Sequence, residues 1–225
     1  MDEQQNRGAD GVDTSSRAYK IAAGRGVMNL PNKLTLARVI MIPVFILFFY
    51  LNFAGHYFVA LAVFALASFT DYLDGHIARK YRLVTNLGKF LDPIADKVLV
   101  SSALIVLVTV PSFFTAFAGE WAMIAAGCCV ALIFARELIV SGFRMVAADA
   151  GIVIAADKIG KFKTVAQDVA IVFLLLFGGF YELFGEHVGV MTVNYIGLAM
   201  LGAAALLTVV SGVNYIVKNI QVLKV

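Results

Sequence analysis

Six runs of about 20 apolar residues, separated by short polar links, leave this chain few folds to adopt. They fall at residues 34–53, 57–78, 90–110, 121–148, 164–183 and 194–217. A run of that length matches the hydrocarbon thickness of a bilayer, inside which every backbone polar group must bond internally. None shows the alternation over about ten residues that marks a membrane strand, so the expected fold is all-α: an integral membrane protein with six transmembrane helices. Composition agrees, because 61% of the 225 residues are hydrophobic and 15% charged, against roughly 45–50% apolar residues in soluble domains.

Residues 1–28 are polar and rich in Gly, Ser, Asp and Asn, with no apolar core followed by a cleavage site. They read as a flexible tail, of which residues 19–28 are able to lie on a membrane surface, ahead of a single membrane domain over residues 29–225. All eighteen Lys and Arg fall in the tail and the start of the first run, in residues 79–97, in residues 136–163, and at Lys218 and Lys224. The links at 52–56, 111–120 and 184–193 hold none. The positive-inside rule then puts both termini on the cytoplasmic side, and no nucleic-acid partner is expected. Cys128 and Cys129 are adjacent within an apolar run, a spacing that suits packing better than a metal or a disulfide.

The residues that most need explaining are DYLDGHIARKYRLVTNLGKFLDPIADK, at 71–97. Asp71 and Asp74 are three apart, and Asp92 and Asp96 four apart, so each pair projects from one face of a helix. Gly75 and Ala78 share the first face, and Gly88 continues the second. The two pairs are symmetric about residue 83; a turn there brings all four carboxylates to one depth, with Asp71 on the order of 15 Å below it. Solvated charges at a helix hairpin explain Arg79, Lys80 and Arg82, but explain poorly two aspartates that continue directly from VFALASFT. Four gathered carboxylates need a cation to offset them, and an all-oxygen set suits a hard divalent ion.

Asp71, Asp74, Gly75, Ala78, Arg79, Gly88, Asp92 and Asp96, at these spacings, resemble the full signature of the CDP-alcohol phosphatidyltransferases. The resemblance implies a cytoplasm-facing cleft at headgroup depth and two divalent ions, Mg2+ or Mn2+. Asp71, Asp74 and Asp92 match metal ligands, and Asp96 matches the general base and a further contact to metal. CDP-diacylglycerol would be held by Asp71, Asp74, Gly75, Ala78, Arg79 and Gly88. The three small residues would let the nucleotide approach the helices; their alternative role is tight helix packing. The family also implies a multi-pass protein of the bacterial cytoplasmic membrane, surrounded by membrane lipids, and a homodimer.

A second group of charges is basic. Arg136 and Arg144 lie eight residues apart on one helix face, and the link to the fifth run carries Lys158, Lys161 and Lys163. Buried charges of this kind need partners, which makes Glu137 an arginine partner rather than a base. Near the first run, Asn32 is the expected N-cap, with Thr35 and Arg38 stacked on one side. Stretches 31–38, 135–137 and 160–167 resemble bacterial members of the family whose acceptor is glycerol 3-phosphate. That implies an acceptor-phosphate site of Thr35, Arg38, Arg136, Arg144, Lys161 and Lys163. It also implies transfer of the phosphatidyl group from CDP-diacylglycerol to sn-glycerol 3-phosphate, giving phosphatidylglycerol phosphate and CMP. Inositol phosphate and phosphatidylglycerol remain alternative acceptors, and serine fits a cationic pocket least. A cation transporter would need ionisable groups through the full membrane depth, and the outer halves of these runs carry almost none. His56, His76 and His187 read as isolated. Gly197, Gly202, Ala203 and Gly212 read as helix-packing residues.

Overall fold

The structure, a computed structural model, describes residues 29–81, 86–149 and 158–219. Among them it is all helical. The elements are α1 (Leu30–Tyr50), α2 (His56–Tyr81), α3 (Asn86–Val108), α4 (Ser112–Ala118), α5 (Glu120–Asp149), α6 (Lys158–Phe184) and α7 (Val188–Lys218). Four of them, α1, α5, α6 and α7, are long and apolar enough to cross a membrane. The apolar parts of α2 and α3 are shorter, at His56–Asp71 and Lys97–Val108, because the acidic stretch occupies the facing ends of these two helices. The tail at 1–28 and the expected turn near residue 83 lie outside the described residues.

The chain divides into two compact units, one of residues up to 51 with 59–102, the other of 52–58 with 103 onward. In the first, α1 starts earlier than the sequence suggests. Its N-cap is Asn29, not Asn32: the Asn29 Oδ1 accepts from the Asn32 N–H at 3.1 Å. Pro31 then falls in the first turn, where its missing N–H costs nothing, so the helix runs through it. Asn32, Thr35, Arg38, Ile42, Phe45 and Phe49 are all buried, at spacings of three and four that mark one helix face. That face is polar over its first half and aromatic over its second. Phe45 meets Phe64 of α2 with ring centroids 6.0 Å apart, and Ala60, Phe64 and Ala67 form the buried stripe that leads to Asp71.

In the second unit α7 packs on both α5 and α6. Gly197 lets α6 approach: a Cβ there would lie 3.0 Å from Leu174. Gly202, by contrast, has nothing within 4 Å, so the packing role expected for it is not what the structure gives. The link at 111–120 folds into α4, which is pinned by the Asn194 side-chain amide donating to the Phe113 carbonyl at 2.8 Å. His56 is not isolated, since its Nε2 lies 3.9 Å from Glu182, whose carboxylate also accepts from the Gly55 N–H. Cys128 is exposed on α5 rather than packed.

Candidate active site

The eight signature positions divide between two helices. Asp71, Asp74, Gly75, Ala78 and Arg79 stand on α2, and Gly88, Asp92 and Asp96 on α3. The helical spacing that pairs the carboxylates by face is therefore present in the backbone. Of these residues, Asp71 is the one whose side chain is described; those of Asp74, Gly75, Ala78, Arg79, Gly88, Asp92 and Asp96 lie outside the described residues.

Asp71 is tied to Arg38, Nη1 to Oδ1, at 2.7 Å. The Arg38 side chain is 0% exposed and that of Asp71 44% exposed. A guanidinium removed this fully from water must be offset by a carboxylate, and Asp71 offsets it while still reaching solvent. One carboxylate oxygen is thus fixed in orientation and the group remains half open, which fits a residue that ligates a divalent cation. Arg38, expected at the acceptor phosphate, is paired with Asp71, with buried Thr35 one turn before it.

The basic group lies in the second unit. Lys158 and the two lysines after it belong to the first turns of α6, not to a loop; Thr164 Oγ1 bonds back to the Gly160 carbonyl at 3.2 Å and continues the same coil. Two residues apart on a helix, Lys161 and Lys163 face different ways. Lys163 is buried and donates to Glu137 Oε1, whereas Lys161 is exposed. The side chain of Lys158 lies outside the described residues.

Glu137 is the partner of two cations, because Arg136 Nη1 also donates to its Oε1, at 3.1 Å. Arg136 Nη2 donates to Ser211 Oγ of α7 at 2.9 Å. Arg144, two helical turns on, donates from Nε to the Tyr215 hydroxyl at 3.1 Å, and its guanidinium carbon lies 5.4 Å from the centre of that ring. The shared face expected for Arg136 and Arg144 is the face that meets α7. Arg144 has no carboxylate partner among the described residues. An arginine so placed is suited to an anionic ligand with a planar or tetrahedral oxygen set.

Two residues of this arrangement, Ser211 and Tyr215, escape a reading of the sequence. Ser211, Gly212 and Tyr215 lie on a buried face of α7 with Thr208, inside a run that otherwise reads as apolar packing. Gly212 has the helix-packing role expected for it, since a Cβ there would lie 2.9 Å from Cγ of Arg136 on α5. The only signal in the sequence was the presence of Ser and Tyr, one turn apart, where only apolar side chains were needed.

Comparison with known proteins places these features in a family. Residues 28–213 match the CDP-alcohol phosphatidyltransferase family, and the chain belongs to it. Among curated relatives, a Bacillus subtilis (strain 168) protein named CDP-diacylglycerol–glycerol-3-phosphate 3-phosphatidyltransferase is 41% identical over 210 residues, covering 88% of this chain and 98% of the relative. Proteins of the same name from Rickettsia typhi (38% identical, 83% of this chain and 94% of the relative) and Shigella flexneri serotype 5b (40%, 84% and 93%) are similar over nearly the same length.

Proposed function

We propose that this protein transfers the phosphatidyl group of CDP-diacylglycerol to sn-glycerol 3-phosphate, releasing CMP and leaving phosphatidylglycerol phosphate in the membrane. The observation that carries this reading is the complete acidic signature on α2 and α3, in a chain about 40% identical over most of its length to relatives named for that reaction. An acceptor hydroxyl attacks the phosphorus that bears diacylglycerol, the new P–O bond forms, and the P–O bond to CMP breaks with its electron pair on the departing phosphate. Asp96 takes the proton of the attacking hydroxyl. Asp71, Asp74 and Asp92, with Asp96, would hold two divalent ions, Mg2+ or Mn2+, whose chemistry is to neutralise charge on the diphosphate and the departing oxygen. Arg38 orients Asp71. Arg79 adds a charge for the leaving phosphate.

The acceptor phosphate is assigned to the basic group of α5 and α6, in which Arg144 has no carboxylate of its own among the described residues. We read α1, α2, α3, α5, α6 and α7 as six spans of a bacterial cytoplasmic membrane, both termini inside. The division of basic residues supports this, and so does the placement of α2 and α3, whose polar ends suit the headgroup layer. The test is an acceptor screen with purified protein and CDP-diacylglycerol, following CMP release. sn-Glycerol 3-phosphate is expected to drive release; serine, inositol phosphate and phosphatidylglycerol are not. Release driven by one of those three, with none from glycerol 3-phosphate, would overturn the assignment.

A further inference from the structure

We infer that Tyr215 of α7 is a positioning residue for the acceptor, and that it makes Arg144, rather than Arg136, the arginine that grips the acceptor phosphate. The inference rests on the acceptor reading above and divides the labour within it. The two arginines share a helix face, but their guanidinium groups are used differently. Arg136 is committed internally, with Nη1 on Glu137, Nη2 on Ser211, and Nε buried without a hydrogen-bond partner among the described residues. Each of its terminal nitrogens thus already spends one of its two N–H groups inside the protein, which ties the guanidinium to Glu137 and Ser211. Arg144 is bonded through Nε alone, so Nη1 and Nη2 have no hydrogen bond among the described residues and form an open fork. A fork of two parallel N–H groups is the geometry that takes two oxygens of a phosphate at once.

What fixes this fork is Tyr215. Arg144 itself is exposed, and a free arginine loses much rotamer entropy when a ligand immobilises it. Tyr215 is 3% exposed and sits in a cluster with Val140, Phe143 and Ala147, its ring edge-on to Phe143 at 5.9 Å. It is therefore a rigid post. Its hydroxyl accepts from Nε and the guanidinium carbon lies over its ring, 5.4 Å from the centre, which restrains the fork before any ligand arrives. All of these residues stand on α5 and α7, which pack against each other in one unit.

The experiment uses the full-length protein purified into lipid nanodiscs and compares Tyr215→Phe, Arg144→Lys, Arg144→Ala and the Tyr215→Phe/Arg144→Lys double variant. Steady-state kinetics are measured with each substrate varied separately. Tyr215→Phe keeps the buried ring and removes only the hydroxyl, so the fold is retained and the tether lost. The KM for sn-glycerol 3-phosphate is expected to rise about tenfold, the lower end for a hydrogen bond to a charged group, with kcat and the KM for CDP-diacylglycerol within about twofold of the parent. Arg144→Lys keeps the charge but not the fork and is expected to match it. The double variant should be no worse than Arg144→Lys alone, because both changes break one device. If Arg144→Ala raises the glycerol 3-phosphate KM while Tyr215→Phe leaves it at the parent value, the positioning role is wrong and the acceptor site stands. Additive losses in the double variant, or a rise confined to the CDP-diacylglycerol KM, refute the positioning role as well. If Arg144→Ala leaves the glycerol 3-phosphate KM unchanged, the acceptor reading itself falls and the inference with it.

Discussion

Two glycines ten residues apart on α7 are expected to respond to the same substitution with opposite signs. In Gly202→Ala the new Cβ enters open space, since nothing lies within 4 Å of it. The helix gains the intrinsic preference of Ala over Gly, about 0.8–1 kcal/mol. In Gly212→Ala the same gain is outweighed. The Cβ would lie 2.9 Å from Arg136 Cγ, well inside the roughly 3.5–4.0 Å at which carbon atoms attract. Cγ is near the root of that side chain, so it cannot swing clear without carrying the guanidinium away from Glu137 and Ser211. Overpacking of this kind costs about 1–3 kcal/mol, and a weakened charge-assisted hydrogen bond adds about 1.5 kcal/mol or more. The net loss is about 2 kcal/mol. At about 2–4 °C per kcal/mol for a chain of this size, the apparent melting temperature should fall by roughly 4–8 °C for Gly212→Ala and rise by roughly 2–4 °C for Gly202→Ala. Fluorescence-monitored melting of both variants in one detergent is the assay. A Gly212→Ala protein that melts at or above the parent would show that Arg136 is not held where the structure places it.

Three further outcomes are expected. Asp71→Asn, Asp74→Asn and Asp92→Asn should each abolish turnover, and full activity in excess chelator would refute a divalent-ion requirement. Arg38→Met should lower kcat by about 10–100-fold, the worth of a charge-assisted hydrogen bond, through its 2.7 Å contact with Asp71. The glycerol 3-phosphate KM should stay unchanged; a rise in that KM alone would return Arg38 to the acceptor. In a background with Cys128 and Cys129 replaced by serine, single cysteines at Gly119 and Glu186 should react with an impermeant thiol reagent added to intact cells, and one at Val84 should not. The reverse pattern would invert the orientation drawn from the basic residues.

The helices themselves were legible because hydrophobic run length is a local property. Their ends were less so. Asn32 is the N-cap the sequence suggests, yet a proline in the first turn is tolerated and the cap is Asn29. The sequence places Lys158, Lys161 and Lys163 in a link, but α6 extends its polar first turns beyond the apolar run. The acidic signature, confined to residues 71–96, was readable as spacing. Contacts between distant residues were not. Arg136 meets Ser211 across 75 positions and Arg144 meets Tyr215 across 71, and no periodicity in either helix encodes the partner. Glu137 was identified as an arginine partner from its neighbour, while its bond to Lys163 comes from the packing of two helices. Gly202 and Gly212 look alike in sequence and differ only in what stands opposite them.

The most direct test of phosphatidyl transfer follows the atom that forms the new bond. Purified protein is given CDP-diacylglycerol and sn-glycerol 3-phosphate carrying 18O in its acceptor hydroxyl, and the lipid and nucleotide products are read by mass spectrometry. The expected result is one phosphatidylglycerol phosphate for each CMP, with the label retained in the lipid and absent from CMP. CMP release without a labelled lipid, or the label in CMP, would contradict attack by that hydroxyl on the phosphorus that bears diacylglycerol.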